Sequence, residues 1–166
     1  MAKMTIRYTD YFPQVIRSMR QDGLLLVAAD AAGQPNVMTI GWGAIDSIWG
    51  RPTFIVLVRP SRHTFSRLEE TGDFTISVPP RELAAAVNLC GTVSGRDHDK
   101  FKEAGLTLTP SRQVRPPIIT ECVALAQLLD PCPRGDYTLP PRSPARITQP
   151  NYILYPSQTR VKTLNI

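Results

Sequence analysis

One short segment of the chain brings together the side chains best suited to hold an anion. Two cations and two hydroxyls fall within six residues, at Arg59, Ser61, Arg62 and Thr64. An apolar run precedes them and a helical pattern follows, so the free N–H groups and positive dipole end of a helix meet them. This arrangement indicates a phosphate site. The alternative is that Ser61 only caps the helix and the arginines are solvated.

A glycine-rich segment earlier in the chain is suited to a flat ligand. Residues 39–43 read Thr-Ile-Gly-Trp-Gly. Gly41 lets the backbone approach a ligand closely, Thr39 offers a hydroxyl, and Trp42 offers a flat apolar surface. The alternative is a β-bulge with a tryptophan in the core.

A third segment, Ser94-Gly95-Arg96-Asp97, stands before a short basic helix. Its backbone N–H groups and Ser94 can meet polar ring atoms, and Lys100 can neutralise a phosphate or a reduced ring. The alternative is a helix entrance with Asp97 as its cap. Together the three segments predict a site for a flat aromatic ligand with a phosphate tail, as in FMN.

Other reactive residues do not form a second site. His63 and His98 are interpreted as peripheral, because the chain has no recognisable nucleophile elbow and no paired carboxylates. Cys90, Cys122 and Cys132 form neither a CxxC pair nor an even set, so they are expected to be reduced thiols, the first two buried. We expect neither a metal site nor a catalytic side chain.

The pattern of apolar and turn residues predicts a mostly antiparallel β-protein with peripheral helices. Strands are predicted at residues 24–29, 37–40, 44–48, 53–58 and 74–78. Helices are predicted at residues 11–20 with Asp10 as cap, 61–71, 81–89, and from the Asp97 cap through residue 104. The first two strands are joined too tightly for a parallel crossover and form a hairpin.

The composition is that of a single globular domain. The chain has 166 residues, with 42% hydrophobic and 20% charged residues and a net charge of +5. Most of the basic surplus lies beyond residue 130, scattered among prolines, which argues against nucleic-acid binding. The apolar runs are too short for a membrane span and the start lacks a signal peptide, so a cytoplasmic protein is expected.

The order of the motifs resembles a known family. The runs MTIGWGAI, VLVRPSRHT, CGTVSGRDHDKFKEAGLTL and PIITEC, within residues 38–122, are similar to those of the flavin reductase-like family of FMN-binding split-barrel proteins, which includes flavoredoxins. The resemblance implies a six-stranded antiparallel split β-barrel that pairs as a homodimer, with one FMN per protomer. It also implies redox chemistry at the flavin, with electrons from NADH, NADPH or a redox partner protein.

The resemblance assigns the motif residues to parts of the cofactor. It implies that the isoalloxazine and ribityl parts lie along Thr39, Gly41 and Trp42. It implies that the phosphate is held by Arg59, Ser61, Arg62 and Thr64. It implies that the flavin is covered by Ser94, Gly95 and Lys100.

The C-terminal part departs from the family pattern. Residues 1–130 are expected to form the FMN-binding domain, and residues 131–166 an irregular tail rich in Pro and Arg. Residues 135–139, Gly-Asp-Tyr-Thr-Leu, are a fragment of a family motif, and the prolines that follow cannot donate hydrogen bonds to a sheet. The barrel is therefore expected to be incomplete at its C-terminus. The rival hypothesis is a non-catalytic or defective scaffold whose tail impairs flavin binding.

Overall fold

The computed structural model describes residues 5–6, 8–48, 51–111, 114–122, 124–128, 153–158 and 164–165. The strands are β1 (Thr5–Ile6), β2 (Leu24–Ala29), β3 (Pro35–Ile40), β4 (Gly43–Ile48), β5 (Arg51–Val58), β6 (Phe74–Val78), β7 (Leu108–Thr109), β8 (Ile118–Ile119), β9 (Ala124–Leu128), β10 (Ile153–Gln158) and β11 (Leu164–Asn165). The helices are α1 (Tyr8–Gln21), α2 (His63–Thr71), α3 (Ala84–Thr92) and α4 (Lys100–Glu103), with a 3-10 turn at Arg81–Leu83 before α3.

The strands pair antiparallel throughout the described part of the chain. A six-stranded sheet has the order β1-β11-β9-β6-β2-β3, and a three-stranded sheet has the order β10-β5-β4. The short strands β7 and β8 form a third sheet. The predicted hairpin of β2 and β3 is confirmed, with Leu24 opposite Ile40 and Ala29 opposite Pro35.

Strand β2 lies at the centre of the core because both of its faces are covered. All six of its residues, Leu-Leu-Leu-Val-Ala-Ala, are fully buried. Successive side chains point to opposite faces of a sheet. Leu24 and Leu26 accordingly pack with α1 and β5, whereas Leu25 and Val27 pack with α3 and the segment around Ile119. A continuous apolar run is what such a two-sided position requires.

The antiparallel architecture with peripheral helices agrees with the prediction. Within the described residues the strands form separate sheets rather than one closed six-stranded barrel. Strands β10 and β11 come from the segment after residue 131, and Pro156 in β10 lies on a strand at the edge of its sheet, where a missing N–H is tolerated. Much of that segment lies outside the described residues. The division of the chain at residue 131 and the incomplete C-terminus stay predictions.

The helix boundaries differ from those predicted, and two of the differences have a clear cause. Helix α1 begins at Tyr8, before Asp10, so Asp10 is not its cap. Helix α3 runs through Gly91 to Thr92, because tertiary packing of its buried face on β2 and β3 outweighs the low helix propensity of glycine. In the ranges described, every helix is too short or too polar to cross a lipid bilayer.

Candidate functional site

The segment from β5 to α2 is built as a tight turn. Arg62 N donates to Arg59 O at 3.0 Å, which closes a β-turn with Pro60 at the position that suits its fixed φ. Phe65 N then donates to Arg62 O at 2.9 Å, so the helix starts without a gap. The turn carries Arg59 and Arg62 on either side of the exposed Ser61.

The start of α2 leaves its N-terminal donors available. Its N-cap is Arg62, whose side chain makes no capping hydrogen bond. Ser61 is thus not the cap, contrary to the alternative interpretation of the sequence. Thr64 is 1% exposed, and its hydroxyl oxygen accepts a hydrogen bond from Asn36 Nδ2 at 2.6 Å. This bond ties α2 to β3.

The third segment is stabilised by hydrogen bonds to Ser94, and the lack of a side chain at Gly95 lets it pack closely against Asn36. Arg96 N donates to Ser94 Oγ at 3.2 Å, and Asp97 N donates to Ser94 O at 3.2 Å. A Cβ atom on Gly95 would lie 1.9 Å from Asn36 Oδ1, so only glycine fits there without a shift. The turn therefore packs directly against the amide of Asn36.

The cap of the following helix is Asp99 rather than the predicted Asp97. Asp99 Oδ1 accepts a hydrogen bond from Lys102 N at 3.2 Å, and α4 begins at Lys100. The N–H groups of Asp97 and His98 both donate to Ser94 O, at 3.2 and 3.1 Å, so the chain is still in the turn at residue 97.

Lys100 is buried and bonded to two backbone carbonyls. Its side chain is 5% exposed, and Nζ donates to Val37 O and to Cys90 O, each at 2.9 Å. Burial lowers the pKa of Lys100; the charge of Arg62 adds to this, and Cys90 opposes it. An ammonium has three N–H donors, so these two bonds leave one for a further acceptor. The lysine joins α4, β3 and α3 behind the site.

The glycine-rich segment presents an exposed aromatic surface. Trp42 is 56% exposed, and Arg59 Cζ lies 5.6 Å from the centre of its ring, a cation–π distance. Trp42 is therefore not the core residue of the alternative interpretation. Nearby, Thr39 Oγ1 donates to Val87 O, which fixes its hydroxyl against α3.

Two adjoining clefts contain all the residues predicted from the three motifs. The inner cleft, of about 120 Å³, is lined by Thr39, Ser61, Arg62, Thr64, Ser94, Gly95 and Lys100. The outer cleft, of about 180 Å³, is lined by Thr39, Gly41, Trp42, Arg59 and Arg62. The two clefts share Met38, Thr39 and Arg62, so they form one continuous surface.

Among the residues of the inner cleft that sequence reasoning did not assign to the site are Asn36 and His63. Asn36 lies inside β3, is 5% exposed, and bonds to Thr64. Asparagine is uncommon in strands, and a buried amide needs partners, which is the signal that could have identified it. His63, which was expected to be peripheral, also lines the inner cleft. The exposed His98 instead pairs with Glu103, at 3.0 Å.

The buried thiols are not reactive groups. Cys90 and Cys122 are buried, as predicted, and burial raises the pKa of Cys90 to about 11 and that of Cys122 to about 12. A thiol that stays protonated is a poor nucleophile. Cys132 lies outside the described residues. Among the residues that are described, no cluster of three or more His, Cys, Asp or Glu side chains could hold a metal ion.

The fold is an antiparallel β-protein, and its two adjoining clefts combine basic and hydroxyl side chains with an exposed tryptophan. Residues 18–139 match the family model described as flavin reductase like domain. The chain belongs to this family, as its motifs predicted.

The chain is also similar to an uncharacterised relative and to solved structures. An uncharacterised protein of Archaeoglobus fulgidus is 35% identical over 108 residues, which cover 64% of this chain and 60% of the relative. Flavoredoxin of Desulfovibrio vulgaris (Miyazaki F) is 31% identical, with a TM-score of 0.60, over 64% of this chain and 57% of the flavoredoxin. The chain thus spans less than two thirds of the length of either protein.

Two more distant structures share the fold. An FMN-binding domain of a flavin reductase-like enzyme from Shewanella baltica has a TM-score of 0.62 at 21% identity, over 76% of this chain and 64% of that one. A Shewanella frigidimarina protein described as a flavin reductase with a split-barrel domain has a TM-score of 0.58 at 17% identity. The match covers 74% of this chain and 62% of that one. The fold is therefore that of split-barrel flavin reductases.

Proposed function

We propose that this chain binds FMN across the inner and outer clefts and acts as a flavin reductase or a flavoredoxin-like electron-transfer protein. One observation supports the proposal most directly. The sequence predicts site residues in three distant segments, and all of these residues line two clefts that share Met38, Thr39 and Arg62. The similar Shewanella baltica domain is an FMN-binding domain, and the similar Desulfovibrio vulgaris protein is a flavoredoxin.

The inner cleft has the donors that a phosphate needs. Arg62 brings a cation to the N-terminus of α2, and the exposed Ser61 brings a hydroxyl. Thr64 accepts its bond from Asn36, so its own hydroxyl hydrogen stays available as a donor. In this proposal these residues hold the phosphate, because charge-assisted hydrogen bonds favour an anion at a helix start.

The outer cleft has the surface that a flavin ring needs. Trp42 supplies a flat apolar face, and Gly41 lets the backbone come close. The Thr39 hydroxyl donates to Val87 O, which leaves its oxygen as an acceptor for a ligand N–H. Ser94, Gly95 and Lys100 would close the inner side of the site.

The redox chemistry itself would belong to the cofactor: when bound, FMN accepts and passes on electrons. The described side chains bind and orient, and the buried thiols, with raised pKa values, do not compete as nucleophiles. Use of NADH or NADPH, transfer to a redox partner protein and assembly as a homodimer are part of the same proposal.

An FMN titration followed by flavin fluorescence tests the proposal. Replacing both Arg59 and Arg62 by Ala should weaken FMN binding, chiefly through Arg62, because a charge-assisted bond to the phosphate contributes about 1.5–3 kcal/mol. Arg17→Ala, an exposed change on α1, is the matched control and should bind as the unchanged protein does. Added FMN should also stimulate oxidation of NADH or NADPH by the full chain. Unchanged affinity in the double variant would contradict the phosphate site, and no stimulation would favour the non-catalytic scaffold.

A further inference from the structure

His63 stands at the point where the inner cleft meets the start of α2. It is the first residue of that helix, between Arg62 and the buried Thr64, and it lines the cleft with both. The ring also lies close to the turn at Gly95, since a Cβ atom on Gly95 would lie 3.3 Å from His63 Cδ2. The imidazole is therefore packed between α2 and the turn at Gly95.

Arg67 makes a hydrogen bond to one ring nitrogen of His63, Nε2. Arg67 Nη1 lies 2.7 Å from His63 Nε2. A guanidinium only donates hydrogen bonds, so Nε2 must be the acceptor and the ring proton must lie on Nδ1. The geometry thus selects one tautomer of the neutral ring.

Arg67 is itself held in place by the β2–β3 turn. Its Nη2 lies 3.8 Å from Asp30 Oδ2, and its Nε donates to Gln34 O at 3.3 Å. Its side chain is 14% exposed, so the ion pair with Asp30 is partly shielded from water. The hairpin therefore orients Arg67, and Arg67 orients His63.

Burial and the surrounding charges lower the pKa of His63 and so favour its neutral form. Burial lowers its pKa, and Arg67 from α2, Arg96 from the turn and Lys100 from α4 lower it further, while Asp30 opposes them. Within the described residues, His63 Nδ1 has no hydrogen-bond partner. A neutral donor without a partner, surrounded by cations, matches an anionic ligand.

We propose that His63 donates its Nδ1–H to the phosphate of the bound flavin, in an orientation fixed by Arg67 and Asp30, and so selects FMN over riboflavin. The inference rests on the proposed FMN site. It adds to that site a residue whose contribution depends on the phosphate alone, since riboflavin has the same ring and ribityl chain without the phosphate.

Dissociation constants for FMN and for riboflavin, measured on the full chain, test the inference. His63→Asn places an amide donor near the Nδ1 position, His63→Gln places an amide near the Nε2 position, and His63→Phe keeps only the ring shape. We expect the Phe and Gln variants to lose about 10- to 100-fold in FMN affinity. The Asn variant should stay within about threefold of the unchanged protein, and riboflavin affinity should stay the same in all of them. His98→Phe is the control histidine and should change neither constant.

Ring ¹H–¹⁵N spectra give a readout that a purely structural role would not change. The His63 Nδ1 nitrogen should be the protonated one, and its signal should shift with FMN but not with riboflavin. Equal losses for both flavins in His63→Phe, rescue by Gln in place of Asn, or an Nε2-protonated ring would overturn the inference. Failure of the unchanged protein to bind either flavin would instead refute the proposed FMN site, and the inference with it.

Discussion

The inner and outer clefts differ in how firmly the protein holds their side chains. In the inner cleft, Thr64 is 1% exposed and bonded to Asn36, Lys100 is 5% exposed and bonded to two carbonyls, and the ring of His63 is fixed by Arg67. In the outer cleft, Trp42 is 56% exposed, with Arg59 over its ring.

In the proposed FMN site, this difference separates two tasks. Donors that are already oriented bind an anion without a large ordering cost, so the inner cleft is suited to anchor the ligand. An exposed indole can stack on one face of a flat ring and leave its other face accessible. The outer cleft is therefore suited to a ring that must also contact a reaction partner. Changes in the inner cleft should therefore have the larger effects.

The largest effect is expected for Lys100→Met. The change leaves Val37 O and Cys90 O without their donor, and each unsatisfied buried carbonyl costs about 1–3 kcal/mol in the free energy of unfolding. Lys102→Met, on the exposed side of the same helix, is the control and should stay within about 0.5 kcal/mol. Urea unfolding of both variants gives the comparison. Equal stability would mean that Lys100 does not hold the inner cleft together.

A pair of glycine changes comes next. A Cβ on Gly95 would clash with Asn36 Oδ1 at 1.9 Å, whereas a Cβ on Gly41 would meet Met19 O at 3.4 Å, an ordinary contact. Gly95→Ala should therefore lower the free energy of unfolding by about 1–3 kcal/mol, as overpacking does, whereas Gly41→Ala should change it little. Urea unfolding of both variants without flavin gives the comparison. A larger loss of stability for Gly41→Ala would reverse the difference in packing between the two clefts.

Single arginine changes sharpen the comparison further. Arg62 lines both clefts, and Arg62→Ala should cost about 1.5–3 kcal/mol of FMN binding through a lost charge-assisted bond. Arg59 lines only the outer cleft and stacks on Trp42, so Arg59→Ala should weaken FMN binding less than Arg62→Ala does. The salt dependence of the FMN dissociation constant should weaken more in the Arg62 variant. Equal losses would place the phosphate nearer Arg59 than we propose.

The smallest effect concerns pH and His63. Burial and the cations Arg67, Arg96 and Lys100 lower its pKa in the folded chain below the ordinary 6.5. As the pH falls below 6.5, the unfolded chain takes up this proton first, so the free energy of unfolding decreases until the folded ring is protonated as well. His63→Asn lacks this contribution. The stability advantage of the unchanged protein over that variant should shrink as the pH falls, in the absence of flavin; an advantage that grows would show a raised pKa instead.

Local sequence patterns predicted most of the fold near the site. The apolar run of β2, the turn before Pro35 and the β-branched residues of β5 identify their strands, because each signal lies within a few residues. The three motifs that are predicted to bind the ligand are also local patterns. That their residues line two adjoining clefts depends on the tertiary structure.

Contacts between distant residues could not be read from local patterns. The Asn36–Thr64 bond spans 28 positions and the Lys100–Val37 bond spans 63, so neither partner identifies the other in the sequence. The same is true of His63, whose place in the cleft depends on Arg67 and on the hairpin that orients it. Asp97 and Asp99 are both good caps, and only the Ser94 turn decides between them.

The visible absorption spectrum of the full-length protein, recorded with added FMN after size-exclusion chromatography, tests the central claim most directly. The two clefts together predict about one FMN retained per chain, with a flavin spectrum shifted from that of free FMN and elution as a dimer. A colourless protein that does not retain FMN would contradict the claim that these clefts form a flavin site.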